Sequence, residues 1–212
     1  DARGQPLVEL RSVRRAFGPA VAARDVDLSV RQREFLVILG ESGSGKTTLL
    51  KTINRLQPPD SGDVLIEGRS TSAVVEHELR RGIGYVFQPV GLFLPLTVAG
   101  NIEYGLKLKG VAEGERRDIV SHLIRATGLA GFENAYPHTL SGGMQQRVAI
   151  ARSLAVRPSV LLMDEPFGAL DAQTRADMHQ LLQGIWARTR KTVVFVTHNV
   201  REALVLGDRV VV

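Results

Sequence analysis

The chain has 212 residues, of which 44% are hydrophobic and 23% are charged, so we expect one domain, or one domain with an attached lobe, around a buried core. This composition excludes a disordered or fibrous protein, and the absence of cysteine excludes disulfides and thiolate metal sites and is typical of a reducing compartment. The net charge is +5, but the basic pairs are scattered and only 5% of residues are aromatic, so we expect no nucleic-acid partner.

No apolar run approaches the roughly 20 residues that cross a bilayer. The longest candidates, residues 35–39 and 193–196, have the length of strands. We therefore do not expect the chain to cross a membrane alone. Residues 1–5 lack the basic-then-apolar pattern of a signal peptide.

The first predicted elements are two half-buried strands, because valine and leucine alternate sparsely with polar residues at 8–13 and 26–30. We expect them to form an antiparallel layer. Residues 34–39 (EFLVIL) are almost continuously apolar, which is typical of a central parallel strand covered on both faces. A glycine-rich loop follows, and then a helix is predicted over residues 46–56.

Further short apolar strands are predicted, with helical stretches between several of them, which indicates an α/β fold. They lie at residues 64–66, 83–87, 160–163, 193–196 and 209–212. Between residues 97 and 157 one helical pattern follows another, with breaks at Gly110, Gly128 and Pro137. This segment predicts a helical lobe.

A phosphate-binding motif, G-x-x-x-x-G-K-[ST], lies between the predicted strand and the predicted helix, which is the context that it requires. Its residues are Gly40, Glu41, Ser42, Gly43, Ser44, Gly45, Lys46 and Thr47. In such a loop the backbone N–H groups surround the β- and γ-phosphates, Lys46 adds a charge, and the Thr47 hydroxyl can bind Mg²⁺. Thr48 is placed to contact the α-phosphate. The alternative is a flexible glycine turn.

A second buried strand ends in two carboxylates, Asp164 and Glu165. Open α/β sheets bind ligands at this end of their strands, and we expect it to meet the end of the strand at 34–39. Asp164 would hold Mg²⁺ through water, and Glu165 would polarise the attacking water. Without the phosphate loop, the default interpretation would be two solvated carboxylates.

Ser141, Gly142 and Gly143 open a predicted helix whose apolar positions recur at helical spacing. Ser141 is a natural N-cap. Two glycines beside a helix N-terminus leave backbone N–H groups open to an anion, so this helix could be a second phosphate-binding element. The alternative is an ordinary capped helix.

The segments LSGGM, QQRVAIARSL and LLMDEPFGALD together resemble the signature region of the ATP-binding cassette (ABC) ATPases. The resemblance covers essentially the whole chain, including ESGSGKTT. It implies a P-loop NTPase with a RecA-like mixed sheet core, an antiparallel β layer and a helical subdomain. We expect residues 1–88 and 158–212 to form the nucleotide-binding core and residues 89–157 the helical signature subdomain.

The resemblance also implies residue roles. Gln88 senses Mg²⁺ and the attacking water, His198 contacts the γ-phosphate, and Asp171 communicates across a dimer. Phe17 stacks on adenine, and its distance from Lys46 along the chain, 46 − 17 = 29 residues, fits the aromatic residue of the family. Considered alone, Phe17 would be interpreted as a core residue, Gln88 as a surface amide and His198 as a structural histidine.

A homodimer is a further implication, because in the family Ser141 and Gly143 act on the ATP bound by the partner subunit's Lys46 loop. Two chains would hold two ATP molecules at a head-to-tail interface, closing with ATP and opening after hydrolysis. This agrees with the residues, since one chain carries two phosphate-binding elements.

Three positions depart from the family pattern. Met144 stands where glutamine is usual, Asn54-Arg55 follows the first helix where glycine is usual, and Arg33 replaces a glycine before the strand at 34–39. We expect Arg33 to affect that turn, and none of the three removes a catalytic group.

The apolar segment at residues 89–96 is expected to be a docking surface, and the family uses this region to receive a coupling helix from an integral membrane permease. The alternative is a buried loop. The absence of fused membrane helices favours an importer subunit, peripheral on the cytoplasmic face of the inner membrane, with an external solute-binding protein as an indirect partner.

Other ABC proteins remain as alternatives. Chromosome-maintenance ATPases insert a long coiled coil between Gln88 and Ser141, where this chain has 141 − 88 = 53 positions, and translation-associated proteins carry two such domains. A switch that binds ATP without hydrolysing it is disfavoured by Glu165 and His198.

Segments of the chain resemble two groups of importers, and these groups suggest the transported solute. INRL and ELRRGIGYVFQPVGLF resemble the osmoprotectant (glycine betaine and quaternary amine) group, whereas SGGMQQRVAIARSL, EPFGALDAQTR and VTHNVREAL resemble the nitrate, sulfonate and taurine group. We expect a small polar solute, with an osmoprotectant as the first choice.

Overall fold

A computed structural model describes residues 6–212 of the chain, so the interpretation of residues 1–5 lies outside the described part. The chain packs as two units. Among the described residues, the first unit comprises residues 6–83, 159–164 and 190–212, and the second comprises residues 84–158 and 165–189. The structure is a mixed α/β fold, as the sequence predicts.

The first unit contains an antiparallel sheet whose strands lie in the order β2-β1-β4-β5. These strands are β1 (Pro6–Phe17), β2 (Ala20–Arg31), β4 (Ser61–Ile66) and β5 (Arg69–Ser70). Val8, Leu10, Val13 and Val30 are buried, which follows from the alternation of apolar and polar residues. The predicted antiparallel layer is confirmed.

Four parallel strands of the first unit lie in the order β7-β8-β3-β9. They are β3 (Phe35–Leu39), β7 (Val160–Asp164), β8 (Thr192–Thr197) and β9 (Arg209–Val211). Strand β3 pairs with β8 on one side and β9 on the other, and four of its five residues are buried. The interpretation of residues 34–39 as a parallel strand with two neighbours and covered faces is therefore confirmed.

The helices of the first unit are short. They are α1 (Lys46–Ile53), α2 (Glu76–Arg81) and α7 (Val200–Leu206), with a 3-10 turn at Thr71–Ala73. The prediction that α1 extends to residue 56 is wrong by three positions. Asn54 is the C-cap, and Arg55 has φ +54°, which ends the helix.

Arg33 and Arg55, the two arginines that stand at family glycine positions, both adopt the left-handed conformation, with φ values of +65° and +54°. The turn thus keeps a glycine-like backbone despite the side chain. The Arg33 N–H donates to Thr192 Oγ1 at 2.8 Å. The Arg55 guanidinium donates to the carbonyls of Thr71 and Val74 at 3.1 and 2.9 Å, which fastens the end of α1 to the following segment.

The second unit is mainly helical. Strand β6 (Ile83–Val86) leads into it, and its helices are α3 (Val98–Leu108), α4 (Glu113–Ala126), α5 (Gly142–Ala155) and α6 (Ala172–Thr189), with a 3-10 turn at Pro137–Thr139. Helices α3, α4 and α5 share a buried core that includes Ile102, Ile124 and Val148. Met144 is partly buried against the same core. The predicted succession of helices is confirmed.

None of the helices within residues 6–212 combines the length and the apolar character needed to cross a membrane.

Candidate active site

The glycine-rich loop between β3 and α1 has a backbone that requires glycine at two positions. Gly43 and Gly45 have φ values of +86° and +92°. A Cβ atom on Gly45 would lie 1.9 Å from the carbonyl oxygen of Ala22, so no other residue fits without moving β2. The loop begins where the Gly40 N–H donates to the Thr197 carbonyl at the end of β8 at 3.3 Å.

The Lys46 ammonium group lies against this loop. Lys46 is only 7% exposed, and its Nζ donates to the Glu41 carbonyl at 2.5 Å and to Ser44 Oγ at 3.3 Å. A charged group in such surroundings needs oxygen partners, and the loop supplies them. A positive charge is therefore held among backbone groups that can also bind an anion.

Thr47 and Asp164 meet at the ends of the parallel strands. The Thr47 hydroxyl, in the first turn of α1, donates to Asp164 Oδ1 at 2.7 Å, although 117 positions separate the two residues. Asp164 is 8% exposed. This contact agrees with the expectation that the ends of β3 and β7 lie close together.

A hydroxyl and a carboxylate are oxygen ligands that suit Mg²⁺, which commonly takes one or two protein oxygens and fills its other positions with phosphate and water. No cluster of three or more histidine, aspartate or glutamate side chains able to hold a metal occurs within residues 6–212. The pair formed by Thr47 and Asp164 thus fits a Mg²⁺ ion that arrives with a phosphate ligand.

His198 lies beside the glycine-rich loop. The residues lining a cavity of about 380 Å³ are Leu39, Gly40, Glu41, Ser42, His198 and Val200. Thr48 is half-buried in the first turn of α1. Phe17, at the end of β1, is 45% exposed and is not among the residues that line this cavity.

The turn that carries His198 is held by a network that the sequence analysis missed. The buried Glu202 accepts the Thr197 hydroxyl at 2.6 Å, and Thr197 Oγ1 in turn accepts the Asn199 N–H at 3.0 Å. Asn199 caps α7 by accepting the N–H groups of Arg201 and Glu202. The pattern N-x-x-E at the start of a helix is a capping signal and could have indicated these residues.

In the second unit, Gln88 lies close to the turn after Glu165. A Cβ atom on Gly168 would lie 3.1 Å from Gln88 Oε1 and 3.5 Å from the Glu165 carbonyl oxygen. The Gly168 N–H donates to that carbonyl at 3.1 Å, and Glu165 itself has φ +43°. The sequence analysis did not identify Gly168, whose small size admits the Gln88 side chain.

Ser141 caps α5, because its Oγ accepts the Met144 N–H at 3.3 Å. Gly142, the first residue of α5, is exposed, and Gly143 is buried. A Cβ atom on Gly143 would lie 2.5 Å from Thr174 Cγ2. Glycine at this position therefore allows α5 to pack closely against α6.

Asp171 precedes α6 and lies in the turn that packs beside the start of α5. The Thr174 N–H donates to Asp171 Oδ1 at 3.0 Å. Hydrogen bonds from the Thr174 hydroxyl and N–H hold the pKa of Asp171 below its usual range. The second unit thus brings the signature residues and Asp171 together.

The predicted site residues are divided between the two units. The first unit holds Phe17, Gly40–Thr48, Asp164 and His198. The second unit holds Gln88, Ser141–Gly143, Glu165 and Asp171.

A glycine-rich loop before a helix, with a buried lysine and a hydroxyl–carboxylate pair at the ends of parallel strands, defines a P-loop nucleotide-binding protein. The profile of the ABC transporter family matches residues 23–168, which is more than half of the chain. The chain belongs to the ABC transporter family, as an ATP-binding domain with ATP hydrolase activity coupled to transport.

Similar proteins include transporter ATP-binding proteins. An uncharacterised ABC transporter ATP-binding protein of Methanocaldococcus jannaschii is 50% identical over 92% of this chain and 72% of its own length. The nitrate import ATP-binding protein NrtD of Synechocystis is 44% identical over 97% of this chain and 77% of its own. The sulfate/thiosulfate import protein CysA of Mycolicibacterium paratuberculosis is 45% identical over 99% of this chain, which spans only 58% of that relative.

Solved structures show the same fold. CbiO1 of Clostridium perfringens, part of the ABC transporter complex cbiONQ, has a TM-score of 0.88 and 27% identity over 97% of this chain and 83% of its own. A bacterial ABC transporter cassette solved as a dimer has a TM-score of 0.85 and 37% identity over 96% of this chain and 93% of its own. That cassette has also been solved in a post-hydrolysis state with ADP and inorganic phosphate.

Proposed function

We propose that the chain is the ATPase subunit of an ABC importer and that it binds ATP and Mg²⁺ at the loop carrying Lys46. The observation that carries this proposal is the buried Lys46 beside the contact between Thr47 and Asp164. The loop N–H groups and Lys46 hold the phosphates, while Thr47 and Asp164 hold Mg²⁺, which neutralises phosphate charge when bound. Thr48 contacts the α-phosphate.

The remaining residues complete hydrolysis. Glu165 orients and polarises the attacking water, Gln88 contacts that water and Mg²⁺, and His198 contacts the γ-phosphate. The position of Gln88 near the Glu165 turn supports a shared task. We propose that residues 1–88 and 158–212 form the nucleotide-binding core and residues 89–157 the signature subdomain, so that the core includes residues 84–88, 158 and 165–189 of the second unit.

A test of these roles compares two variants. Glu165→Gln should keep ATP affinity and lower steady-state hydrolysis by about 10²–10⁴-fold, because it removes the positioned base. Lys46→Ala should weaken both binding and hydrolysis. Asp177→Asn, which neutralises an exposed carboxylate on α6, is the matched control. Undiminished hydrolysis by purified Glu165→Gln would contradict the role of Glu165.

The subunit is proposed to work as a homodimer in which Ser141, Gly142, Gly143 and Asp171 face the ATP and the loop of the partner subunit. Support comes from the close packing of the signature turn and the Asp171 turn within one unit. The solved cassette of similar sequence is a dimer.

A rigid apolar loop supports docking to a membrane permease. Phe93 and Leu94 are 40% and 67% exposed. The buried Asn101 holds the loop, because its Oδ1 accepts the Phe93 N–H at 2.8 Å and the two N–H groups of its Nδ2 are shared among the carbonyls of Phe93, Leu96 and Thr97 at 3.0–3.1 Å. Exposed apolar groups on a fixed backbone are typical of a binding surface. The chain would then lie on the cytoplasmic face of the membrane.

The transported solute is proposed to be a small oxyanion of the nitrate type. The relatives NrtD and CysA described above act in nitrate and in sulfate/thiosulfate import, and not in import of the osmoprotectant that the sequence favoured first. An external binding protein would select the solute, because the pocket of this chain suits a nucleotide.

The test is reconstitution of the full chain with its co-purifying membrane subunits and the neighbouring binding protein in proteoliposomes. ATP hydrolysis should rise with nitrate or a sulfonate and should not rise with glycine betaine. Stimulation by glycine betaine alone would favour the osmoprotectant over the oxyanion. If nitrate, the sulfonate and glycine betaine all fail to stimulate hydrolysis, both choices of solute are wrong.

A further inference from the structure

The ring of Phe17 carries a cation over one of its faces. Arg15 Cζ lies 4.9 Å from the ring centroid, which is within the distance of a cation–π interaction. Phe17 is nevertheless 45% exposed. One face of the ring is therefore occupied by a guanidinium group, while much of the side chain still faces solvent.

Asp60 fixes the position of this guanidinium. Arg15 Nη1 donates to Asp60 Oδ1 at 2.5 Å, and Asp60 Oδ2 accepts the Ala16 N–H at 2.7 Å. The Asp60 N–H donates to the Arg14 carbonyl at 2.8 Å. The hydrogen bond from Ala16 and the charge of Arg15 keep the pKa of Asp60 below its usual range, so this carboxylate stays ionised at neutral pH.

One nitrogen of the Arg15 guanidinium is left unsatisfied in this position. Its Nε is buried and has no hydrogen-bond partner in the described part of the chain. A buried donor without a partner is unfavourable for folding. The guanidinium keeps its place over the ring of Phe17 through the ion pair with Asp60, although one of its donors is unsatisfied.

We propose that Arg15 is a positioning residue for the nucleotide base, and that it makes the face of Phe17 opposite the guanidinium a platform for a flat purine ring. The proposal rests on the proposed role of Phe17 in stacking on adenine. A side chain that is already fixed loses less conformational freedom when a ligand binds. A cation over one face also draws electron density from the ring, which favours stacking of an electron-rich base on the other.

The test is a double-mutant cycle with two probes, ATP and inorganic tripolyphosphate, whose dissociation constants are measured by calorimetry in the presence of Mg²⁺. Tripolyphosphate can use the Lys46 loop but has no base. Arg15→Gln should weaken ATP binding by about two- to five-fold and leave tripolyphosphate binding unchanged. In the Phe17→Ala background, Arg15→Gln should have no further effect on ATP.

Two further variants complete the design. Arg14→Gln removes the same charge from the neighbouring exposed residue and should leave the relative affinity for the two probes unchanged. Asp60→Asn keeps an acceptor for the Ala16 N–H but loosens Arg15, and it should weaken ATP binding in the same direction by a smaller factor. It also serves if Arg15→Gln does not fold, as judged by circular dichroism.

The outcomes separate this inference from the proposed function. If Phe17→Ala leaves ATP affinity unchanged, the proposed role of Phe17 is wrong, and the inference about Arg15 fails with it. If Phe17→Ala weakens ATP binding but Arg15→Gln and Asp60→Asn do not, only the inference is wrong. An equal loss of affinity for ATP and tripolyphosphate in Arg15→Gln would mean a general charge effect, which also overturns it.

Discussion

Gly143 shows how a single missing side chain can serve two purposes. A methyl group there would lie 2.5 Å from Thr174 Cγ2, which is closer than two non-bonded carbon atoms can approach. The same residue belongs to the signature that we propose to face the ATP of the partner subunit. Packing and ligand approach therefore both favour glycine, and a paired substitution can separate them.

We predict that Gly143→Ala lowers the free energy of unfolding by about 1–3 kcal/mol through overpacking. Thr174→Ser removes the obstructing Cγ2 and keeps the hydroxyl that binds Asp171. The double variant should recover most of the stability, as measured by urea denaturation, while its ATP hydrolysis stays low.

Thr174→Ser alone is the matched control and should hydrolyse ATP at close to the normal rate. Normal hydrolysis by the double variant would show that Gly143 matters only for packing between α5 and α6.

The site residues that are contiguous in the chain were predictable from the sequence. Most contacts between residues that are far apart in the sequence were not. The Gly40–Thr47 loop lies in one run, so its pattern identifies it. The contact between Thr47 and Asp164 was also predictable, because Asp164 ends one parallel strand and Thr47 comes after the loop at the end of another. The pairing of Arg15 with Asp60 was not, because it joins positions 45 apart along the chain through the register of β1 and β4.

At the level of elements, Glu34, the residue before β3, links β2 to β9 in the first unit. Its carboxylate accepts the Arg31 N–H at the end of β2 at 2.6 Å and the Arg209 guanidinium of β9 at 2.6 Å. Arg209 also donates to the Ser29 carbonyl of β2. Burial raises the pKa of Glu34, but the hydrogen bonds from Arg209 and Arg31 outweigh burial, so the net pKa lies below its usual range.

A lowered pKa in the folded state makes the contribution of Glu34 to stability pH-dependent. The stabilisation is present above the unfolded-state pKa, near the ordinary value of 4.5, and is lost as the pH falls through the lower folded-state pKa. We predict that Glu34→Gln is less stable than the unmodified protein by about 1–2 kcal/mol near neutral pH. The difference should shrink below about pH 4.5, as measured by denaturation at a series of pH values.

Glu78→Gln, on the exposed side of α2, is the control and should show no such change with pH. A constant difference between Glu34→Gln and the unmodified protein down to about pH 3 would contradict the linkage.

Element boundaries were predicted less well than element types. The hydrophobic pattern of α1 continues to Leu56, but the backbone leaves the helix after Ile53, because Asn54 caps it and Arg55 is left-handed. The left-handed residue after a helix is usually glycine, so an arginine at position 55 does not indicate this helix end. The end is stabilised by bonds from Arg55 to carbonyls at positions 71 and 74, which the local pattern cannot show.

For the whole molecule, the proposed head-to-tail dimer predicts complementation between inactive variants. Lys46→Ala disables the phosphate loop, and Ser141→Arg obstructs the signature. Each alone should hydrolyse little ATP. Mixed at equal concentration, about half of the dimers would contain one subunit of each kind and one intact site, so about a quarter of the normal hydrolysis should return.

The control is a mixture in which one subunit carries both substitutions and the other is Ser141→Arg, since such dimers contain no intact site. Circular dichroism should confirm that Ser141→Arg is folded, because loss of an N-cap costs about 1 kcal/mol. Complete absence of recovery in the first mixture would contradict the shared site.

The side-chain hydrogen bonds of Asn101 to the Phe93 loop have a mechanical consequence. They fix the backbone of the Phe93 loop to α3. A displacement of Phe93 would therefore move α3 as well, because the loop cannot bend independently of the helix. This coupling works in both directions. A movement of α3 would displace a permease bound to the loop, and a movement of the permease would displace α3.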